Sequence, residues 1–543
     1  VSQRWEEFFS LMLRTSRNVG WVSKPENVQM TREQRPQTSN VASTKNLLCL
    51  GRIDRLPPSH FTRSKKPSDG YGKSAASSSI SFKNKPKGDN MKSRIRMCLT
   101  AIIVVFAALV LPLRLAAQEQ PDHYRLFNLG NLGGTASEGN TINNIGWAIG
   151  AADQAGNTTE HATVWIYGLR FDLGTLGGPN SDVQWPNKND HGQIAGFSET
   201  AAMDPFGESW SCTAFTATGV PTGHVCTGFV WQFGVMSQLP TLGGNNGFAS
   251  GENNLGQIVG WAETPVHDST CVLPQVLQFL PVVYGPGVGP ITQLPTLTSD
   301  GVTDPDGAAT AINDNGQIVG ISGTCDTSVG AFSATHALLW ENGKVINLGN
   351  LGGKGWNTPM AINHRGDTIV GFSDLAGDVT GGVLNANFHA FVWTKESGKM
   401  TDIGVLAGDS LSEALDVNDQ GQVVGVSFPS FHAFIYENGK MTDLNTLMPK
   451  NSPLLLIEAT GINESGEITG EGCIIVDGGC PVGNNIPAYL AVPTFFGSGG
   501  DGSSAFAEPT NSEAANITVS EGIRQQMMRK LAFGHFGPEQ VKP

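Results

Sequence analysis

Four histidines, eight cysteines, three closely spaced aspartates and a recurring asparagine are the side chains of this 543-residue chain whose types and spacing could do chemistry. His161, His336, His389 and His432 each open a short apolar strand. An imidazole can ligate a metal or move a proton near neutral pH, but these four stand at equivalent places in successive copies of one pattern. Symmetry spreads such residues around a ring, so each is read as one half of a structural hydrogen bond. Asp300, Asp304 and Asp306 form an acidic loop that could hold calcium, although without the spacing or closing Glu of an EF-hand. No other cofactor is expected. The chain has no Gly-x-Ser-x-Gly elbow, no His-Glu-x-x-His and no phosphate loop. The run Gly285-Pro286-Gly287-Val288-Gly289-Pro290 lacks the last glycine of a dinucleotide fingerprint.

Cysteine usage points to an oxidising compartment. Cys49 and Cys98 lie in segments set apart below, which leaves an even six: Cys212, Cys226, Cys271, Cys325, Cys473 and Cys480. Six cysteines allow fifteen pairings. Cys212 and Cys226 share one insertion, Cys473 and Cys480 share another, and Cys271 and Cys325 occupy equivalent insertions of adjacent copies. No Cys-x-x-Cys pair is present to suggest a zinc cluster.

The elements that position these residues repeat seven times between Tyr124 and Pro493. Each copy carries an Asn three residues before a Gly: Asn143 with Gly146, Asn189 with Gly192, Asn253 with Gly256, Asn313 with Gly316, Asn363 with Gly366, Asn418 with Gly421 and Asn463 with Gly466. An Asn at the first position of a β-turn can accept a backbone hydrogen bond from two residues on. A Gly at the fourth tolerates positive φ, so the pair specifies a tight hairpin. An apolar strand follows, as in Gly256-Gln-Ile-Val-Gly260 and Gly421-Gln-Val-Val-Gly425, and then an aromatic strand such as His336 to Trp340. The copy at Gly366 has one extra residue before Gly371, read as a β-bulge. Glu341-Asn-Gly-Lys344 and Glu437-Asn-Gly-Lys440 turn the chain into a fourth strand.

Four short strands repeated seven times predict an all-β, seven-bladed β-propeller of four-stranded blades. The tight turns fix the register: Leu-Gly-Gly steps such as Leu173 to Gly178 cross between blades. The chain therefore begins with an outer strand, Tyr124 to Leu129, and ends with three strands of an unfinished blade. Pairing the two closes the ring and leaves no long edge.

The repeat resembles the HAF family of extracellular repeat proteins, named for the tripeptide that stands here as His389-Ala390-Phe391 and His432-Ala433-Phe434. The resemblance covers roughly residues 127–492. Copies three and four depart from it, with Gly228 in place of the His and Pro240 and Pro295 in place of the first Gly of the step. Irregular blades are expected there. The resemblance implies export and a propeller-like fold, and it confers no activity.

Residues 91–117 read as a signal peptide: a basic start at Lys92, Arg94 and Arg96, an apolar run from Cys98 to Leu113, and cleavage after Ala117. Residues 1–90 precede it and read as an over-extended start or, if made, a disordered extension. Residues 118–493 form the propeller, and residues 494–543 a flexible linker with a short helix from Glu521 to Leu531. From Gln118 onward there are 14 Lys and Arg against 41 Asp and Glu, a net charge of −27, compared with −14 for the whole chain. Such a surface disfavours nucleic acid and anionic lipid. The resulting expectation is a secreted, periplasmic or cell-surface bacterial protein, a monomer off the membrane. It would be a non-catalytic scaffold that binds an extracellular protein or glycan through the long connections between second and third strands. The alternative is a propeller hydrolase or lyase acting on extracellular carbohydrate, which would gather acidic and basic side chains from several unlike blades.

Overall fold

The computed structural model describes residues 124–494 and residues 517–521 and 523–524. Within the first span 185, 209–211, 213–219, 272, 326–334, 354, 378–386, 450 and 482–484 are not described. The expectations for residues 1–90, for the signal peptide and for most of the C-terminal helix lie outside these residues.

Seven four-stranded antiparallel sheets are arranged as a seven-bladed β-propeller. In blade 1 the strands run Gly133–Ile142, Ala148–Gln154, Glu160–Ile166 and Leu169–Asp172, from the channel outward. Blades 2 to 6 repeat this order, from Gly177–Asp182 to Lys440–Asp443. Blade 7 takes Leu454–Ile462, Ile468–Ile474 and Ala488–Pro493 from the end of the chain, and its outer strand, Tyr124–Asn128, from the beginning. Register runs from Tyr124 opposite Pro493 to Asn128 opposite Tyr489. The ring is thus closed as the repeat pattern requires. Between neighbouring blades lie separate apolar wedges, for example Ala311, Val319, Ile362, Ile369 and Phe391 between blades 4 and 5.

The turn glycines adopt the left-handed backbone that the Asn-x-x-Gly spacing calls for. Gly146, Gly192, Gly256, Gly316, Gly366, Gly421 and Gly466 have φ between 68° and 83°. The N–H groups of Gly146, Gly256, Gly316, Gly366, Gly421 and Gly466 donate to the carbonyl of the turn Asn three residues earlier, at 3.0 to 3.1 Å. Their task is to shape the turn; none offers a side chain to a site.

The turn asparagines do more than close hairpins. The Asn253 side-chain oxygen accepts from the backbone N–H of Leu255 and Gln257, and its amide nitrogen donates to the Asn313 carbonyl of the next blade at 3.0 Å. The same inter-blade bond runs from Asn143 to Asn189, Asn189 to Asn253, Asn313 to Asn363, Asn418 to Asn463 and Asn463 back to Asn143. The circuit misses one link. Asn363 donates to Asp367 Oδ1 instead.

Asp367 is the extra residue that the sequence suggests as a strand bulge. It lies in the turn: the Asn363 N–H reaches Thr368 O, five residues on, where those of Asn143, Asn253, Asn313, Asn418 and Asn463 reach the fourth. The Asn463 side chain makes the equivalent of the Asn363–Asp367 bond, to Glu467, and keeps its inter-blade link as well. Register shifts occur instead on the inner strands, as between Ala309 and Ala311 or Ala414 and Asp416.

Gly228 lies in the third strand of blade 2, and Pro240 and Pro295 in the crossings into blades 3 and 4; all three blades keep four strands. The irregular blade is blade 2, whose inner strand ends at Asp182. The crossing into blade 4 carries a small added hairpin, Thr298–Ser299 with Val302–Thr303.

Hydroxyls stitch the blades at the other end. The N–H of Leu176 and Leu351, in Leu-Gly-Gly crossings, and of Leu406, in a Leu-Ala-Gly crossing, donates to Ser198, Ser373 and Ser427 of the blade being entered. The N–H of Ala162, Ala390 and Ala488 donates to Ser181, Ser412 and Ser137 of the next blade, each at 2.9 Å. All three cysteine pairs are disulfides: Cys212–Cys226, Cys271–Cys325 and Cys473–Cys480. The second ties blade 3 to blade 4.

The tail departs from the flexible end expected of it. Thr518–Val519 pairs in parallel with Gly479–Cys480, and Val519 and Ile523 are buried against the propeller.

Two outcomes test this architecture. Deleting residues 124–128 uncovers the edge of Ala488–Pro493, and calorimetry should show one cooperative transition at a lower melting temperature. An unchanged melt excludes the closure. Asn253→Asp, measured at pH 8, keeps the turn acceptor but sets a carboxylate against the Asn313 carbonyl. Urea unfolding should show a loss of at least about 2 kcal/mol, the scale of a buried polar group left unpaired.

Candidate functional site

The repeated histidines are pins between strands. His161 Nδ1 lies 2.9 Å from Asp172, His389 Nδ1 2.9 Å from Asp402 and His432 Nδ1 2.8 Å from Asp443, each Asp on the outer strand of the same blade. In blade 4, His336 pairs with Asp304 in the preceding crossing at 2.7 Å. Burial alone would raise the Asp402 carboxyl, but bonds from His389 and from the Gly404 N–H hold it below its usual value. The four histidines are not brought together.

Nor are the three aspartates of the suggested calcium loop. Asp300 sits exposed in the added hairpin, Asp304 is engaged by His336 and by the Ser322 hydroxyl, and Asp306 is buried, accepting from the Phe279 N–H at 3.0 Å. Among the described residues one group has ligand-like spacing, Cys271, Asp306 and Cys325. Its two sulfurs are already joined in a disulfide.

The channel is occupied by side chains from unlike blades. Lys188 of blade 2 reaches across it to Asp416 Oδ2 of blade 6 at 2.5 Å and to the Ile462 carbonyl of blade 7 at 2.8 Å. Toward the tight-turn face, the residues that follow the turn asparagines make a second polar ring. The N–H of Asn144 donates to Asp190, Asp190 to Asn254 and Asn254 to Asp314, and Glu464 donates back to Asn144. The His364 imidazole lies inside this ring, with Nε2 3.3 Å from Asn144 Nδ2 and 3.9 Å from Glu464 Oε1, and Nδ1 3.8 Å from Asp314.

A cluster of carboxyls from blades 1, 2 and 7 is what the sequence analysis did not find. Glu138 Oε2 accepts from Asn140 and Gln184, and Gln184 also donates to Asp182 Oδ2. Glu471 lies in the field of Glu458, Asp182 and Asp153. All five acids are buried, none more than 6% exposed. Desolvation pushes Asp153 up to about 6, Asp182 to about 7 and Glu458 to about 8. Glu471 is raised by burial first and then by its acidic neighbours. Burial thus favours the protonated form of Glu458 and Glu471 at neutral pH, and Asp182 titrates close to it.

Part of the pattern behind them is visible in the sequence as an acid three residues after the second Gly: Asp153, Glu199, Glu263 and Asp374. These acids have a local task. Glu199 accepts from the Asn180 N–H, Glu263 from those of Asn245 and Asn246, and Asp374 from that of Gly355, where the chain enters the inner strand of the same blade.

The opposite face bears the long insertions, and those of blades 2, 3 and 4 form one assembly. Glu208 of blade 2 accepts from the Val276 and Leu277 N–H groups of blade 3. The Phe206 ring meets His267 edge-on at 5.4 Å, and the Cys271–Cys325 bridge joins blade 4. Large apolar side chains project from these segments: Met203, Phe206, Val220, Val266, Leu273 and, from the added hairpin, Val302. Leu273 is 76% exposed and Met203 62%. No helix among the described residues is long and apolar enough to cross a membrane.

No family model matches the chain, and no curated protein matches it. Solved structures do. The acylaminoacyl peptidase of Pyrococcus horikoshii aligns over 66% of this chain and 50% of its own, at 10% identity and TM-score 0.36. The oligogalacturonate lyase of Vibrio parahaemolyticus aligns over 69% and 94%, at 9% identity and TM-score 0.39. Virginiamycin B lyase of Staphylococcus aureus aligns over 68% and 98%, at 10% identity and TM-score 0.33. The chain spans half the length of the peptidase it matches, and likeness at this level transfers no activity.

The buried acids set a pH dependence. Their folded-state values lie above those of the unfolded chain, so the stability they contribute is complete below about pH 4, where both states are protonated. It is lost as pH rises through 6 to 8. Calorimetry at pH 5, 7 and 9 should give a falling melting temperature, with a shallower fall in Glu458→Gln. A melting temperature that is level or rises over this range would overturn the assignment.

Proposed function

We propose that the chain is an exported, non-catalytic propeller of the HAF-repeat type that binds an extracellular protein or glycan through the insertions of blades 2, 3 and 4. The supporting observation is the concentration of exposed apolar side chains on segments held rigid by two disulfides and by the Glu208 clamp. Isolated apolar residues on a surface need no explanation, but a group of them on cross-linked insertions is a usual sign of a binding surface. Three disulfides fit an oxidising compartment. The strong negative charge favours neutral or cationic ligands.

The enzymatic alternative has one observation on its side: carboxyls from three unlike blades meet beside the channel, with raised pKa values. It stands against their burial and against the Lys188 and His364 side chains that fill the channel.

One experiment separates the readings. The protein is run by affinity electrophoresis through neutral and uronate-containing polysaccharides, and is also presented to the secreted protein fraction of the producing cells. Phe206→Ser combined with Leu273→Ser should weaken retention at least tenfold while leaving the melting temperature unchanged. Equal retention by the variant excludes this face, and release of reducing or unsaturated ends from a polysaccharide establishes the enzyme instead.

A further inference from the structure

The C-terminal segment is bound where no repeat supplies a partner. Residues 518 and 519 add to the edge of Gly479–Cys480, and the Ser520 N–H donates to the Cys480 carbonyl at 3.0 Å. Val519 and Ile523, 4% and 2% exposed, enter the apolar cluster that contains Phe428, Phe431 and Ile486, and Ile517 packs against its margin. Arg524 completes the contact, with Cζ 6.0 Å from the centre of the Phe431 ring and Nε donating to the Val519 carbonyl at 3.1 Å.

The receiving surface is itself built for this. Phe431 has φ +57°, a left-handed conformation unfavourable for a bulky residue. That conformation turns its ring inward, edge-on to Phe428 at 5.1 Å, and leaves it 2% exposed. On the other side, the Cys473–Cys480 disulfide holds the loop that offers the strand edge. Backbone pairing along an edge, with alternate side chains set into apolar pockets, is how proteins receive extended peptides. Here blade 6 supplies the aromatic floor and blade 7 the edge.

We infer that the groove between the Phe431 turn of blade 6 and the Cys473–Cys480 loop of blade 7 is a receptor site for a peptide that pairs as a short strand and then turns helical, with apolar residues spaced like Ile517, Val519 and Ile523. The chain's own C-terminal segment fills it in cis, and the same segment of a second copy can enter it in trans. The length of chain outside the described residues permits both. Residues 495–516 separate the segment from the last strand of blade 7, and at roughly 3.3 Å per extended residue they reach up to about 70 Å. A short tether gives an effective concentration on the order of millimolar. The tethered segment therefore wins in dilute solution, and the site opens to another chain when its own segment is released.

The test uses the full chain and a fluorescein-labelled synthetic peptide of residues 515–526. Val519→Asp combined with Ile523→Asp should free the groove, so that fluorescence anisotropy shows the variant binding the peptide at least tenfold more tightly than the wild type. A peptide carrying the same two substitutions should bind neither. To guard against a variant that fails to fold, a protease site placed between Gly497 and Ser504 of the wild-type chain allows the linker to be cut. The severed tail should co-elute with the propeller and be displaced by excess unlabelled peptide. Immediate loss of the severed tail, or equal binding of the peptide by wild type and variant, overturns the proposal.

Discussion

One amide side chain, repeated seven times, holds this molecule in register. The turn Asn faces two ways. Its oxygen closes the hairpin in which it stands, and in six of the seven copies its nitrogen reaches the carbonyl of the corresponding Asn in the next blade. A blade alone is a four-stranded sheet with an exposed inner edge, and small sheets of this kind are marginal in water. The Asn circuit, the serine stitches at the opposite end and the apolar wedges between them make each blade's stability a property of its neighbours. Closure by Tyr124–Asn128 then leaves no blade without a neighbour.

Much of this was legible in the sequence because turn chemistry is local. Asn and Gly at fixed spacing specify a hairpin whatever surrounds them, and the order of tight and loose connections fixes which strand is inner and which strand closes the ring. The disulfide partners could be grouped by shared or equivalent insertions for the same reason. The nitrogen half was not legible, since the inter-blade partner lies 45 to 64 residues away along the chain in five links and 320 in the link that closes the ring. The serines were hidden in strands read as apolar. The extra residue at Asp367 was noticed but misplaced, because a count of residues does not say whether a turn or a strand will absorb it.

The candidate sites were less legible still. A Glu within an apolar strand reads the same whether it caps a backbone N–H, as Glu263 does, or meets other acids, as Glu471 does. Only the assembled ring decides which acids converge. Likewise the C-terminal segment reads as tail until blades 6 and 7 offer it a floor and an edge. The insertions of blades 2 to 4 were identifiable as loops, and what the structure added was that Glu208 and the Cys271–Cys325 bridge make them one surface.

The missing link at Asn363 has a consequence for how such a ring tolerates change. One added residue within a strand would turn its following side chains to the opposite face, yet here the addition is confined to a turn, and the six other links still run around the circle. The ring behaves as a redundant circuit, in which a length change in one copy costs one connection and leaves the rest conducting. It also means that two seams differ in kind. Between blades 7 and 1 the backbone is discontinuous but the hydrogen bonds are complete, whereas between blades 5 and 6 the backbone continues and the circuit is open. A load that pulled the blades apart would be carried at the second seam by Ser412, Ser427 and Asp419 and by the apolar wedge, without the Asn link that the other seams share.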